Sequence, residues 1–209
     1  MKTRLTAITA AAVLLAPAVA HAHLVATGMG PVYDGVSHFA LSPEDSLPVV
    51  ALAFFAGLRG PRHARLLLAV LPLSWLLGGL LSALLTGATG LTFAPVAPPV
   101  VTAALLLLTG GLLVANLDLS PRLCAIPAIA LGLARGATDV AGIPAGASVV
   151  LPLLGMSGGV FVVFALAASV TLPLRRAWMI VAARVSGSWV AAAGLLLAGW
   201  IIHYGASVQ

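Results

Sequence analysis

Long apolar runs, separated by short polar connections, make up most of this chain. Their apolar positions are continuous rather than alternating, which favours helices over the strands of a β-barrel. Six runs come close to the length of about 17–25 residues that a helix needs to cross a bilayer. They cover residues 42–58, 66–85, 96–117, 121–139, 147–170 and 177–202. The pattern predicts an all-α fold, a polytopic bundle of about six transmembrane helices.

The start of the chain has the three parts of a secretory signal. Lys2 and Arg4 precede an apolar stretch that is short for a span, and the small residues Ala20 and Ala22 fit a cleavage site. We predict a cleaved signal peptide at 1–22 and a single transmembrane domain at 23–209. An uncleaved anchor helix is the alternative.

The composition agrees with a membrane protein and argues against a nucleic-acid-binding one. Hydrophobic residues make up 61% of the chain and charged residues 7%, whereas a soluble domain carries about 25% charged residues. The formal net charge is +5, but the arginines form short clusters between apolar runs rather than a basic stripe. We therefore expect the lipid bilayer as a partner and no nucleic acid.

The arginine clusters also predict an orientation. They fall in alternate connections, so all lie on one side of the bundle: Arg59, Arg62, Arg65, Arg122, Arg175 and Arg176. Cytoplasmic connections are rich in Lys and Arg. A multi-pass protein of the bacterial inner membrane, with both mature termini in the periplasm, satisfies this rule and the exported signal peptide together.

Acidic and imidazole side chains gather near the predicted outer side, where they would attract cations. Asp34 and His38 share a face if 34–41 is a short helix, and a carboxylate and an imidazole at that spacing can bind a divalent transition metal. Glu44 and Asp45 follow at the start of the first span. The alternative for these two is helix capping, with Asp45 closing a capping box with Ser42.

Arg135 and Asp139 lie four residues apart near the outer end of the fourth span. A structural ion pair that lowers the cost of burying both charges is one interpretation. In the other, Asp139 is a cation or proton ligand that movement of Arg135 releases. His23 is a further candidate ligand, because cleavage would place it at or near the new N-terminus, where a free amine and an imidazole can chelate a metal. Accidental histidines beside a cleavage site are the alternative.

Other features predict packing rather than chemistry. The single cysteine, Cys124, is interpreted as a small core residue, and glycines at helical spacing indicate close helix contacts. No phosphate-binding loop, nucleophile motif or zinc-protease motif is present in the sequence. We expect no enzyme activity and no tightly bound cofactor.

The mature chain resembles the HupE/UreJ family of small permeases associated with nickel hydrogenases and ureases. That family carries a histidine, five residues and then Asp-His. Here His38 matches the first histidine, and Glu44 and Asp45 take the last two positions. A second family motif, built on His-Gly, resembles Arg135-Gly136, with an arginine in place of the histidine. The resemblance implies a divergent branch that transports a cation, with Ni²⁺ or Co²⁺ as the transported ion.

These observations lead to three hypotheses. The first is a secondary permease for a divalent transition-metal cation that enters from the periplasm, with His38, Asp34, Glu44 and Asp45 at the outer mouth and Asp139 deeper. The second is a non-transporting membrane accessory that delivers metal to a metalloenzyme. The third is an intramembrane enzyme with His38 as acid or base. The protein partners to consider are a second copy of the chain or proteins of metalloenzyme maturation.

Overall fold

The computed structural model describes residues 28–90, 98–141, 143, 148–174 and 176–205. The predicted signal peptide and His23 lie outside the described residues. The described chain forms seven helices and confirms the all-α prediction. They are α1 Pro31–Leu41, α2 Pro43–Arg59, α3 Pro61–Thr89, α4 Pro98–Ala115, α5 Pro121–Val140, α6 Val150–Thr171 and α7 Ala177–Gly205.

Proline and glycine explain several of the helix ends. Each of α1 to α5 begins with a proline, which is favoured there because the first helical residue needs no N–H donor and proline presets its φ angle. Gly60, between α2 and α3, has φ 105°, and Gly90, after α3, has φ 69°. These backbone angles are costly for residues with a side chain, so glycine ends both helices.

Four helices in the described part of the chain are long and apolar enough to cross a membrane: α3, α5, α6 and α7. The pair α1 and α2 counts as a fifth span if it is taken as one broken helix, with a bend of 73° at Ser42. The predicted third span corresponds to α4, whose apolar part, Pro99–Ala115, is shorter. Length and composition therefore give four or five spans where the sequence pattern suggested about six.

Glycines let the helices approach each other closely, as the sequence indicated. Gly78 of α3 lies against the backbone of Leu133 in α5, and Gly136 of α5 lies against the backbone of Trp75 in α3. Gly110 of α4 faces α7. Association of helices in lipid depends on such close packing, because lipid tails leave little hydrophobic drive between helices.

The helix α1 lies across α6 rather than continuing α2. Gly35 meets the backbone of Pro152, and Gly155 meets the backbone of Val32. Phe39, 1% exposed, contacts Trp75 edge to face, with ring centroids 5.8 Å apart. These contacts fix the end of α1 in the interior of the bundle, beside the middle of α3.

The arginine-rich end of the bundle is held by a separate polar cluster. Arg59, at the end of α2, pairs with Asp118 at 3.2 Å and donates to the side-chain and backbone oxygens of Asn116. The ring of His63 hydrogen-bonds the carbonyl of Leu119 at 3.0 Å. These bonds join the α2–α3 turn to the α4–α5 connection. Cys124 is fully buried nearby, which confirms its predicted place in the core.

Candidate metal centre at a helix break

The break between α1 and α2 brings polar residues from both helices into the interior. His38 lies in the last turn of α1, and Glu44 and Asp45 lie in the first turn of α2. The N-terminus of a helix favours negative charge and the C-terminus favours positive charge. The N-terminus of α2 therefore stabilises the negative charge of its carboxylates, and the C-terminus of α1 stabilises positive charge near His38.

The third contribution comes from α5, which is packed tightly on α3. Arg135 and Asp139 lie one turn apart on the buried side of α5, with relative exposures of 3% and 8%. Gly132 and Gly136 occupy the same side and lie against Ser74 and Trp75. Because these glycines have no side chain, α5 approaches α3 closely enough for its two charged groups to enter the interior.

Three side chains form a group with the spacing of a metal site. One ligand atom each from His38, Asp45 and Asp139 lies within 4.8 Å of the others. Asp45 is fully buried, Asp139 is buried and His38 is half-buried. Imidazole suits nickel, zinc, copper and iron, whereas carboxylates also suit harder ions such as manganese and magnesium. One nitrogen and two or more oxygens are a donor set for a divalent metal cation.

Arg135 joins the carboxylates of this group. Its Nε donates to Oδ1 of Asp45, and Nη2 lies 3.4 Å from Oδ1 of Asp139 and 3.4 Å from Glu44. Its Nη1 donates to Oγ1 of Thr102 in α4 at 3.3 Å. The predicted ion pair between Arg135 and Asp139 is therefore confirmed. It is also part of a larger cluster that ties α2, α4 and α5 together.

Trp75 positions the other oxygen of Asp139. Its indole Nε1 donates to Oδ2 at 3.1 Å, and both side chains are buried. Such a bond fixes the orientation of a carboxylate and stabilises its charge, as outer partners of metal ligands commonly do. Asp139 therefore has Arg135 on one oxygen and Trp75 on the other.

Asp45 has one oxygen that the cluster leaves unpaired. Among the described residues, Oδ1 accepts from Arg135 but the buried Oδ2 has no hydrogen-bond partner. Leaving a buried polar atom unpaired is unfavourable by about 1–3 kcal/mol. A cation that bound Oδ2 would remove this penalty, so the unpaired oxygen fits a ligand position.

Exposure of the polar side chains falls from Glu44 to His38 to Asp45. The Glu44 side chain is 53% exposed and His38 is half-buried, whereas the Asp45 side chain is completely buried. A cation could thus meet an exposed carboxylate first, then an imidazole and then the buried carboxylates. The gradient runs through the break between α1 and α2, where the backbone is not helical.

The structure places three of the predicted ligands, His38, Asp45 and Asp139, in one group. Asp34 lies one turn before His38 on α1 but is outside the group of three ligands, and Glu44 contacts Arg135 rather than joining that group. The alternative interpretation, a capping box between Ser42 and Asp45, is not formed, since the backbone N–H of Ser42 donates to the carbonyl of His38. In the described part of the chain, Ser42 provides no side-chain cap to α2. Asp45 instead turns inward because Arg135 attracts it.

Two members of the surroundings, Trp75 and Thr102, were not predicted from the sequence. Each lies within a long apolar run and resembles an ordinary core residue there. The link between Asp45 and Arg135 was missed for a different reason, since 90 residues separate them in the sequence. The one available signal was that a buried tryptophan N–H or hydroxyl group usually has a hydrogen-bond partner. That rule does not say which residue the partner is.

Comparison with models of known protein families, with curated proteins and with solved structures gives no match to this chain.

Proposed function

We propose that the chain is a membrane permease for a divalent transition-metal cation, with Ni²⁺ or Co²⁺ as the first candidates. The observation that supports this most is the group formed by His38, Asp45 and Asp139, one imidazole and two carboxyl groups from three helices with ligand atoms within 4.8 Å of one another. Burying ionisable groups inside a membrane bundle is costly, and such groups usually mark a pathway for ions or protons.

The helix break supports transport in particular. Helices interrupted inside the membrane, with polar groups at the interruption, are a common way for transporters to bind ions near the middle of the bilayer. Here the interruption at Ser42 lies beside Trp75, which is 14 residues from either end of the 29-residue helix α3. The proposed binding site thus lies in the interior of the bundle, with Glu44 on the path to it.

The proposal also covers the membrane in which the chain lies, its number of spans and its orientation. We propose six spans in the bacterial inner membrane, with the arginine-rich end facing the cytoplasm and both mature termini in the periplasm. An alkaline phosphatase fused after Gln209 should then be active. Activity of a green fluorescent protein fused at the same position, with an inactive phosphatase, would reverse this orientation.

Uptake of radiolabelled nickel and cobalt tests the transport itself. In cells without their own nickel and cobalt transporters, the wild-type chain should raise uptake of at least one of these metals. His38→Ala and Asp139→Asn should each reduce that uptake at least about tenfold, because even outer partners of metal ligands contribute tenfold or more.

His63→Ala is the matched control. His63 is also a half-buried histidine, but it lies in the polar cluster at the arginine-rich end. Its substitution should leave most of the uptake intact at equal expression in the membrane. If wild type takes up neither metal, or if all three variants lose uptake equally, the proposed permease is wrong.

A further inference from the structure

Arg135 is part of the electrostatics of the candidate site as well as its packing. Its guanidinium bonds Asp45 and lies 3.4 Å from both Asp139 and Glu44. Only 3% of the side chain is exposed, so it has no free path to water. Any cation that binds the two buried carboxylates must therefore share them with a fixed positive charge.

The arrangement leaves one carboxylate oxygen available to a second cation while Arg135 stays in place. Arg135 bonds Oδ1 of Asp45, while Oδ2 of the same carboxylate has no hydrogen-bond partner among the described residues. A metal ion can bind Oδ2, a ring nitrogen of His38 and the carboxylate of Asp139 while the guanidinium keeps Oδ1. Arg135 then stays beside the bound ion, and its guanidinium does not have to move away before the ion can bind.

The net charge of the cluster determines which charge on a bound cation is favoured. Bound metal requires its carboxylate ligands to be ionised and its histidine ligand to be neutral. Asp45 and Asp139 then carry two buried negative charges, and Arg135 carries one positive charge. Glu44 adds a third negative charge that is 53% exposed and therefore partly screened by water. A divalent cation leaves the site closer to neutral than a trivalent cation, which adds one further positive charge. Uncompensated charge is expensive in a buried site.

We infer that Arg135 is the residue that makes this site selective for divalent over trivalent cations, by supplying one fixed positive charge. The inference rests on the proposed metal site and adds the origin of its valence selectivity. It assigns a specificity role to Arg135, separate from its role in joining α2, α4 and α5.

Equilibrium dialysis of the purified full chain in detergent, with Ni²⁺ and with Tb³⁺, tests the inference. The measured quantity is the ratio of the Kd for Ni²⁺ to the Kd for Tb³⁺, because a general loss of binding cancels in this ratio. In Arg135→Gln the ratio should rise at least about tenfold, since one positive charge beside the ion is removed. In Arg135→Lys, which keeps the charge, it should stay within about threefold of wild type.

Glu44→Gln provides a second test of the charge balance that does not depend on whether Arg135→Gln folds. Glu44 is half exposed, so its substitution should not unfold the bundle. Removing its negative charge should move the ratio in the opposite direction, by a smaller factor of about threefold because water screens an exposed charge.

The outcomes separate the inference from the function on which it rests. If wild type binds and transports Ni²⁺ but neither Arg135→Gln nor Glu44→Gln changes the ratio, the valence role of Arg135 is wrong and the permease stands. If no variant binds either ion, and wild type also fails, the metal site itself is overturned together with the inference.

Discussion

The contact of Gly136 with Trp75 offers a direct test of how packing builds the site. A Cβ atom added to Gly136 would lie 2.9 Å from the carbonyl carbon of Trp75 and 3.0 Å from the backbone nitrogen of Gly79, and closer still to the carbonyl oxygen of Trp75. Ordinary contacts begin at 3.4 Å. In Gly136→Ala the backbones of α3 and α5 must therefore separate by at least about 0.5 Å.

That separation is enough to affect the candidate site. The bond from Trp75 to Asp139 is 3.1 Å long, so a shift of about 0.5 Å along it would exceed the range of a hydrogen bond. Overpacking costs about 1–3 kcal/mol and the lost buried bond about 1–3 kcal/mol, while replacing a helical glycine returns about 0.5–1 kcal/mol. The net destabilisation is about 1–5 kcal/mol.

Cys124 provides the assay. It is the single cysteine of the chain and is buried in the same helix, α5. A maleimide can react with its thiol only when the helix opens, and in the fast-exchange regime the rate follows the population of the open form. A loss of about 1 kcal/mol or more should thus speed labelling at least about fivefold in Gly136→Ala.

Gly158→Ala is the control for this experiment. Gly158 is also a helical glycine, in α6, but beyond its own helical turn no atom of the described structure lies within 4 Å of an added Cβ. Its substitution should leave the labelling rate unchanged or slow it slightly, because alanine favours the helix. Equal labelling rates in the two variants would refute the claim that the contact between Gly136 and Trp75 fixes α3 against α5.

Two further predictions concern individual polar contacts, and both can be measured by thermal unfolding in detergent. Trp75→Phe removes the indole donor to Asp139 and should lower the free energy of unfolding by about 1–3 kcal/mol. Trp189→Phe, at a position 75% exposed, should change it little. Equal effects of the two substitutions would mean that the bond from Trp75 to Asp139 does not stabilise the protein. Arg59→Ala should destabilise the protein more than Asp118→Asn, because Arg59 also donates to the backbone and side-chain oxygens of the half-buried Asn116, while the Asp118 side chain is 96% exposed. The reverse order would mean that the exposed ion pair contributes more than the bonds with Asn116.

The sequence predicted the helices well because their signals are local. Apolar runs mark α2 to α7, prolines stand at the first positions of α2 to α5, and the bounds of these six helices fall within five residues of the predicted span bounds. The number of membrane-spanning helices was harder to predict. The bend at Ser42 depends on α1 packing across α6 through Gly35 and Gly155, and a hydropathy pattern contains no information about that packing.

The candidate site could be predicted only in part. The sequence identified His38, Asp45 and Asp139 as candidate ligands, and the spacing of Arg135 and Asp139 predicted their ion pair. It also paired His38 with Asp34, its neighbour along the helix, because short-range spacing is the only geometry a single sequence provides. In the structure, the group within 4.8 Å joins His38 to carboxyl groups of α2 and α5, which lie outside its own helix.

The energetics of the buried cluster argue that it is kept for a purpose other than stability. Removing two charges from water costs several kcal/mol for each ion, and replacing a buried ion pair with apolar residues often stabilises a protein. Here Arg135 faces three carboxylates, and one oxygen of Asp45 has no partner within the described structure. A purely structural cluster would be more stable with one carboxylate for its one arginine, and Leu or Met in place of the others. A buried oxygen without a partner, close to an imidazole and a second buried carboxyl group, is the arrangement that an arriving cation would complete.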